Sequence, residues 1–281
     1  MSLVFINDEY VSSEKAMISV FDRGFLFSDS VYEVVQVFEQ KLFLFQEHID
    51  RLHRSLKELS IPLPKVDWLN VAKHLLEHQN IDFGGIYIQI SRGQQNKRSH
   101  AWEGAELKPT VVAFAQELLA IKSKTFKVIT YPDLRWQRCD IKTNSLLPNA
   151  LAMEAAKTAG CGEALLVNEQ ENVNEASCSN LFIVKNNRII TPALKENILP
   201  GITRKFCLDL LTEMNLNYSE EQISKKDLFD ANEVWLTSAT KDVVPITHID
   251  DQAVNFVETD SVWQKVNKAF KQKKMQSLLT V

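Results

Sequence analysis

A nine-residue run from Ser30 to Phe38 restricts the fold most, because it predicts a long strand with a second strand directly after it. The intervening turn is Glu39-Gln40-Lys41, and the second strand is predicted at 42–45. A helical pattern follows these two strands. The N-terminal part of the chain is therefore predicted to be an α+β unit.

Two helices and further strands complete this unit. An apolar stripe with spacings of three and four residues predicts the first helix, which Pro62 ends; its members are Ile49, Leu52, Leu56 and Leu59. The second helix is predicted near 67–79, with Asp67 as its N-cap. The further strands are predicted at 4–7, 18–20, 86–91 and 110–116. We expect an N-terminal domain of residues 1–118.

A change of composition in the Lys-rich stretch 119–126 predicts a linker to a second domain, 127–281. In that domain Gly160 predicts a left-handed residue after a helix, and Asn186-Asn187 predicts a hairpin turn. The strands are predicted at 127–131, 164–167, 181–185, 188–191, 233–237 and 243–249, and the helices at 147–159, 203–214 and 261–276. The predicted class is α+β or α/β, with two domains.

Length and charge exclude several kinds of partner. The chain has 281 residues, which is long for one average core and sufficient for two domains. A net charge of −4 provides no basic surface, which argues against nucleic acid or an anionic membrane as a partner. No apolar run approaches the roughly 20 residues that span a bilayer. The N-terminus, with Asp8 and no basic stretch, is unlike a signal peptide, so we expect a cytoplasmic protein.

The cysteines argue against a metal site. They are scattered, without a Cys-x-x-Cys pair or clustered histidines, so neither zinc nor a disulfide framework is expected. We predict reduced, buried, small apolar side chains at all four positions, which are Cys139, Cys161, Cys178 and Cys207.

Three polar segments of the second domain suit a small molecule, and each has a plainer explanation. At 200–204 a glycine and a hydroxyl at a helix entry suit a phosphate, or Thr203 is an ordinary N-cap. Three hydroxyls at 237–240 offer further donors, or they simply end a strand. The carboxylate of Glu175 suits a ring nitrogen or a metal, or the run 175–180 is a surface loop.

Five residues elsewhere are ambiguous. Lys142 lies in a loop between a strand and a helix, where chemistry is often mounted, but a lone lysine is usually solvated. Arg98 and His100, in a long loop, suit either a carboxylate ligand or a charged surface. Arg51 lies off the apolar stripe, where solvation is the default. The ring of Tyr32 points into a cleft or into the core, and alternation does not decide which.

Taken in order, the segments resemble fold-type IV pyridoxal phosphate enzymes, which comprise D-amino-acid transaminases, branched-chain aminotransferases and aminodeoxychorismate lyases. The segments that carry the resemblance are DRGFLFSDSVYEVV, EHIDRL, IYIQISRG, RCDIKTNSLLPNALAMEAA, NEASCSNLF, ILPGITR and WLTSAT. Their order along most of the chain is more specific than any one of them. The resemblance implies a small N-terminal α+β domain and a larger C-terminal domain with a β-barrel-like sheet.

The resemblance also implies a role for each candidate residue. Lys142 corresponds to the lysine that carries pyridoxal 5′-phosphate as a Schiff base. Glu175 corresponds to the carboxylate that keeps the pyridine nitrogen protonated, and Leu199 lies under the ring. The implied phosphate-binding residues are Arg51, Ile202, Thr203, Ala239 and Thr240, and the other cofactor-binding residues are Ser179 and Asn180. No metal is implied.

The implied substrate is a D-amino acid. Tyr32, Arg98 and His100 correspond to the carboxylate trap of D-amino-acid transaminases, and Val34 is a further substrate-binding residue. In that group the Arg and His come from the neighbouring subunit, so a homodimer with its active site at the subunit interface is implied. The expected reaction is transamination of D-alanine or a related D-amino acid with 2-oxoglutarate.

Two alternatives within the family stay open. An aminodeoxychorismate lyase, which releases pyruvate and 4-aminobenzoate, shares the run Leu147-Pro148-Asn149. A branched-chain aminotransferase is the third candidate. Three positions depart from the family pattern: Ser28 and Ser30 stand where many relatives have glycine, and Ala239 replaces a hydroxyl residue.

Overall fold

The chain divides into two compact units. The computed structural model describes residues 2–102, 107–118, 125–195, 197–254 and 259–280. The first unit consists of residues 1–120, 141–145 and 277–281, and the second of residues 121–140 and 146–276. The predicted linker 119–126 lies largely outside the described residues and stays a prediction. In the structure the segments 141–145 and 277–281 belong to the first unit, whereas the predicted division places them in the second domain.

Strands and helices occur in both units. In chain order the strands are β1 (Leu3–Ile6), β2 (Glu9–Ser12), β3 (Ser30–Phe38), β4 (Lys41–Phe43), β5 (Phe83–Ser91), β6 (Thr110–Glu117), β7 (Phe126–Pro132), β8 (Glu163–Val167), β9 (Asn172–Ala176), β10 (Asn180–Lys185), β11 (Arg188–Thr191), β12 (Tyr218–Glu220), β13 (Ile223–Ser224), β14 (Glu233–Ser238), β15 (Asp242–Ile249), β16 (Gln252–Ala253) and β17 (Leu278–Thr280). The helices are α1 (Arg23–Phe27), α2 (Phe45–Glu58), α3 (Trp68–Gln79), α4 (Leu147–Thr158), α5 (Ile202–Glu213), α6 (Lys225–Phe229) and α7 (Val262–Gln276).

The first unit is built on an antiparallel sheet with the strand order β17-β4-β3-β5-β6-β1-β2. β3 has the predicted bounds and pairs along its whole length with β5. The strand predicted at 18–20 does not form, because these residues have no sheet neighbour and Ile18 and Val20 are exposed. Instead Asp22 accepts a hydrogen bond from Gly24 N and caps the short helix α1.

The core of the first unit lies between this sheet and helices α2 and α3. The predicted stripe is confirmed for three of its members, since Ile49, Leu52 and Leu56 are buried against the valines of β3, whereas Leu59 forms the C-cap of α2 and is only partly buried. The predicted N-cap of α3 is also confirmed, because the Asp67 side chain accepts a hydrogen bond from Asn70 N at 3.1 Å. The apolar periodicity therefore locates this core correctly.

The second unit is built on a mixed sheet. Its strand order is β12-β11-β10-β14-β15-β7-β8-β9-β13, with β16 paired to β15. The pairs β7–β8, β7–β15 and β11–β12 are parallel. Gly160 has the predicted left-handed backbone after α4, with φ +69°. Asn186 and Asn187 have φ 51° and 59° and form the predicted hairpin turn between β10 and β11.

Among the residues that the structure describes, no helix is both long and apolar enough to cross a membrane.

Candidate active site

Lys142 lies in the segment 141–145, which runs beside the start of β3 within the first unit. Tyr32 N donates to Lys142 O at 2.9 Å, and Asn144 N donates to Ser30 O at 3.2 Å. Ser30 Oγ also donates to Asn144 Oδ1 at 2.8 Å, so β3 holds the residues at positions 142 and 144. Ser30 thus binds the lysine segment through both its backbone and its side chain.

The amine of Lys142 is available for chemistry. Its Nζ lies 4.2 Å from the centre of the Tyr32 ring, and the side chain is partly buried. Within the part of the chain that the structure describes, no carboxylate forms an ion pair with it. Most lysines at a surface are solvated, and most buried lysines form an ion pair with a carboxylate. Lys142 differs from both, because its side chain is partly buried and forms no such ion pair among the described residues.

The structure decides which way Tyr32 points. Val31 and Val35 are fully buried in the core of the first unit, and Tyr32 lies between them in sequence on the opposite face of β3. Its ring stacks on the Tyr87 ring, with 5.8 Å between the ring centres. Val34 shares this face and is partly buried. Two of the predicted site residues, Tyr32 and Lys142, therefore lie together in the first unit. A third, Val34, shares the face of β3 that carries Tyr32.

Arg51 is buried in α2 and paired with a carboxylate that the sequence analysis missed. Its Nε donates to Glu33 Oε1 at 2.7 Å and its Nη2 to Glu33 Oε2 at 2.8 Å. His48 Nδ1 lies 2.7 Å from Glu33 Oε2. The signal available in the sequence was Glu33, a charged residue in the buried phase of β3, together with His48 and Arg51, which are three residues apart and so share one face of α2.

Electrostatics explains why this buried triad is stable. Burial raises the pKa of Glu33, but the charge and hydrogen bonds of Arg51, and then those of His48, outweigh it and hold this pKa well below its ordinary value. Burial lowers the pKa of His48 below its ordinary value, against the opposing effect of Glu33, so the imidazole is neutral at pH 7. One carboxylate therefore faces one permanent cation.

Arg98 and His100 lie on an exposed loop of the first unit. Arg23 fixes the loop backbone, because its guanidinium donates to Ser99 O at 2.8 Å and to His100 O at 2.9 Å. The Arg98 guanidinium lies 4.9 Å from the centre of the Phe27 ring. Among the described residues, no hydrogen bond, ion pair or ring contact joins Arg98 or His100 to Tyr32, and the predicted trap, in which both come from the neighbouring subunit, stays a prediction.

In the second unit, Glu175 is the last polar residue of strand β9 and is 5% exposed. Arg135 Nη1 donates to its Oε1, and Asn180 Nδ2 donates to its Oε2 at 3.0 Å. Leu199 N lies 3.3 Å from Oε1. Burial raises the pKa of Glu175 above its ordinary value, and the charge and hydrogen bond of Arg135 oppose this rise. The run 175–180 is therefore not a surface loop, which was one of the two alternatives.

Asn180 connects Glu175 to the start of α5. It pairs with Thr237 of β14, and its Nδ2 also donates to Leu199 O at 3.0 Å. A Cβ at Gly201 would overlap Asn180 Oδ1, so any other residue there would have to displace the Asn180 side chain. The predicted residues Glu175, Asn180 and Leu199 therefore meet beside the first turn of α5, which Ile202 and Thr203 begin.

The N-terminus of α5 has no side-chain cap. Gly201 is the N-cap residue, so the alternative in which Thr203 caps the helix is wrong. Thr203 lies instead in the first turn and is buried. Uncapped backbone N–H groups at a helix start suit an anion.

The hydroxyl-rich end of β14 leads into a turn that contains Ala239 and Thr240. Ser238 Oγ and Thr240 Oγ1 lie 3.5 Å apart. Thr237 Oγ1 is buried and has no hydrogen-bond partner among the described residues. Because buried hydroxyls are normally paired, this oxygen indicates a place where a further polar group fits.

Ser179 belongs to a second cluster around Glu163. Ser179 Oγ donates to Glu163 Oε2 at 3.1 Å, and Ser177 Oγ and Lys241 Nζ also donate to this fully buried carboxylate. Cys178 Sγ donates to it at 3.0 Å, although the residue is exposed. Burial raises the pKa of Glu163, but the charge of Lys241 and these hydrogen bonds hold it below its ordinary value.

The prediction that all four cysteines are buried is therefore wrong in part. Cys139 and Cys207 are buried, Cys161 is intermediate and Cys178 is exposed. Cys178 differs because it lies in the polar turn between β9 and β10, whose neighbouring serines bind Glu163. No group of three or more His, Cys, Asp or Glu side chains suited to a metal ion occurs among the described residues.

Comparisons with known proteins place the chain in a family. A family model described as amino-transferase class IV matches residues 30–249. The chain is 34% identical over 275 residues to a D-alanine aminotransferase of Staphylococcus haemolyticus, covering 96% of this chain and 97% of that protein. It is 37% identical over 253 residues to a D-alanine aminotransferase of Listeria monocytogenes, covering 88% and 87%.

A solved structure supports the same assignment at the level of the fold. The branched-chain amino acid aminotransferase of Escherichia coli superposes with a TM-score of 0.88 at 21% identity, covering 97% of this chain and 94% of that one. The chain belongs to the class IV aminotransferases. The two-domain mixed fold and the aminotransferase class that the sequence predicted are confirmed.

Proposed function

We propose that this chain transfers the amino group of a D-amino acid, with D-alanine as the reference substrate, to 2-oxoglutarate, using pyridoxal phosphate held on Lys142. The observation that carries the chemistry is the environment of Lys142, a partly buried amine over the Tyr32 ring and outside any ion pair among the described residues. The substrate class rests on relatives named D-alanine aminotransferase that match nearly the whole chain.

The residues fit this cofactor in charge and hydrogen bonding. Glu175 offers a buried carboxylate to a protonated pyridine nitrogen. The uncapped first turn of α5, with Ile202 and Thr203, offers backbone N–H groups to the phosphate. The unpaired Thr237 hydroxyl accommodates one more polar atom. Arg51, Ser179, Leu199, Ala239 and Thr240 remain proposed cofactor contacts.

Bound pyridoxal phosphate serves as an electron sink for the substrate α-carbon. Lys142 would hold the cofactor and would move the proton at that carbon. Glu175 would favour the protonated ring nitrogen, which would make the sink effective. Asn180 and Leu199 N orient this carboxylate through the bonds described above. Tyr32 and Val34 face the substrate.

The first experiment separates the three candidate activities. Wild-type protein is incubated with D-alanine and 2-oxoglutarate, with aminodeoxychorismate, and with L-leucine and 2-oxoglutarate. The products measured are D-glutamate, 4-aminobenzoate and L-glutamate, because pyruvate forms in both of the first two reactions. We expect D-glutamate. Formation of 4-aminobenzoate or L-glutamate without D-glutamate would overturn the proposed substrate.

A second experiment tests Lys142 directly. Lys142→Ala is expected to lose activity. It should also lack the visible absorption band of the covalently held cofactor, a band that disappears from the wild type when borohydride is added. Lys157→Ala is the matched control, because the Lys157 side chain in α4 is 78% exposed. Equal loss in both variants, or a reducible band in Lys142→Ala, would contradict the assignment.

We further propose that Arg98 and His100 bind the substrate carboxylate across a homodimer interface. Their exposure on a loop held by Arg23 supports this proposal. Dimers of Lys142→Ala alone are expected to be inactive, and dimers of Arg98→Ala alone to be impaired. A mixed dimer has one intact site, which takes Lys142 from the Arg98→Ala subunit and Arg98 from the Lys142→Ala subunit. Random reassociation is expected to restore about a quarter of the wild-type activity, since half of the dimers are mixed. No recovery would exclude a shared site.

Cytoplasmic localisation stays a prediction.

A further inference from the structure

Arg135 lies between two buried carboxylates of the second unit. Its Nε donates to Asp133 Oδ1 at 2.9 Å and its Nη2 to Asp133 Oδ2 at 2.8 Å. Its Nη1 donates to Glu175 Oε1 on the other side. The side chains of Asp133, Arg135 and Glu175 are 8%, 6% and 6% exposed, so water screens this arrangement weakly.

Neutral side chains close the network. Asn174 Nδ2 donates to Asp133 Oδ2 at 2.8 Å, and Asn197 Nδ2 donates to Asn174 Oδ1 at 2.9 Å. The Arg135 Nη2 also donates to Asn197 O at 3.1 Å. Asp133, Arg135 and Glu175 therefore each have at least one neutral hydrogen-bond partner in addition to an ion-pair partner.

The charges in this cluster do not balance. Two ionised carboxylates and one guanidinium would leave a net charge of −1, and Cys139 beside them is a thiol whose pKa burial raises to about 12, so it adds no charge near pH 7. An unbalanced buried charge is costly unless a counter-charge joins it. A cationic N–H donor at Glu175 is the counter-charge that would balance the cluster.

We propose that Asp133 and Arg135 are positioning residues that set the charge seen by the cofactor's ring nitrogen at Glu175. This inference rests on the proposed role of Glu175. The Arg135 guanidinium favours the ionised form of Glu175 against the effect of burial and fixes its orientation. Alone, it would also cancel the attraction of Glu175 for a pyridinium. Asp133 cancels the guanidinium charge, so that the cluster retains one negative charge for the ring.

The pKa values of Asp133 and Arg135 are consistent with this division of roles, whereas burial raises the pKa of Glu175 and Arg135 opposes that rise. Burial raises the pKa of Asp133, but the hydrogen bonds and charge of Arg135 outweigh it and leave this pKa below its ordinary value. Burial lowers the pKa of Arg135, but Asp133 and Glu175 raise it above its ordinary value. Both groups are therefore charged near pH 7.

The test is the protonation of the ring nitrogen, read by nitrogen NMR of protein loaded with pyridoxal phosphate labelled at that atom. Asp133→Asn is expected to shift the signal towards the unprotonated position and to weaken cofactor binding about tenfold, since one buried charge near the site is removed. Asp133→Ser, which removes the charge with a smaller side chain, is expected to behave alike. Thermal unfolding of each apoprotein reports whether it folds.

Two reference variants make the result decisive. Asp250→Asn is the matched control, because Asp250 accepts hydrogen bonds from Thr130 N and Oγ1 in the same sheet and lies outside the network. It is expected to leave the signal unchanged. Glu175→Gln is expected to shift it fully. A folded Asp133 variant with a wild-type signal, while Glu175→Gln shifts, overturns this inference alone. An unshifted signal in Glu175→Gln overturns the proposed role of Glu175 itself.

Discussion

Replacing Glu33 by glutamine is expected to destabilise the first unit strongly. The side chain is fully buried, and it pairs with Arg51, which is 8% exposed. Glutamine keeps the shape but removes the negative charge from this buried pair, and breaking a buried pair in this way costs about 3–5 kcal/mol. The loss of two Arg51 hydrogen bonds is contained in this figure and is not added to it.

The matched control is an exposed pair in the other unit. Lys205 and Asp209 form an i,i+4 pair on α5 with side chains 73% and 54% exposed. Asp209→Asn is expected to cost no more than about 0.5 kcal/mol, because water and salt screen such pairs. The contrast between the two variants isolates burial as the cause of the effect.

The assay must report each unit separately, because a chain with two compact units need not unfold in one step. Native-state hydrogen exchange gives the opening free energy of α2 amides for the first unit and of α5 amides for the second. Glu33→Gln is expected to lower the α2 value by about 3 kcal/mol or more and to leave the α5 value unchanged. A change in α2 below about 1 kcal/mol would refute the reasoning.

The pH dependence of the opening free energy checks whether Glu33 stabilises the first unit in its ionised form. The folded pKa of Glu33 lies below its ordinary value of 4.5. The stabilisation is therefore complete above pH 4.5 and is lost as the pH falls towards the folded pKa. The difference between wild type and Glu33→Gln should be largest near neutral pH and should shrink in acid. A difference that grows in acid would contradict the assignment of the ionised form.

Three further predictions concern other residues. The first unit should lose stability as the pH falls through 6.5, because His48 takes up a proton more readily when unfolded; His48→Gln should flatten this slope in the same exchange assay. Gly201→Ala should cost about 1–3 kcal/mol by displacing Asn180, whereas Gly160→Asn, at a left-handed position in open space, should be nearly neutral in thermal unfolding. Burial raises the pKa of Cys139 to about 12, so a thiol reagent at pH 8 should modify it only in unfolded protein; rapid modification of the native state would contradict this.

Much of the fold could be predicted from local patterns. The strand Ser30–Phe38 and the predicted N-cap at Asp67 occur as predicted, because period-two and period-3.6 burial and capping depend on neighbours a few residues away. β9 was missed since Asn172, Asn174 and Glu175 make it polar, and a polar strand has no apolar period to detect. The terminal strand β17 was missed because only its pairing with β4 makes it a strand.

The candidate site divides in the same way. Lys142, Glu175 and Thr203 could be predicted as site residues because the segments that resemble the family occur in order around them. Their partners could not. Glu33 lies 18 residues from Arg51 in sequence, and Arg135 lies 40 residues from Glu175, so no local spacing links either pair.

The sequence by itself determined most of the elements, the family and the lysine on which the chemistry is proposed to depend. Only the tertiary structure decided which face of β3 carries Tyr32, which carboxylate neutralises Arg51, and that Asp133 and Arg135 share a network with Glu175. The physical reason is range. Element formation is governed by contacts along a few residues of chain, whereas charge pairing in a buried site depends on groups that the fold brings together from distant segments.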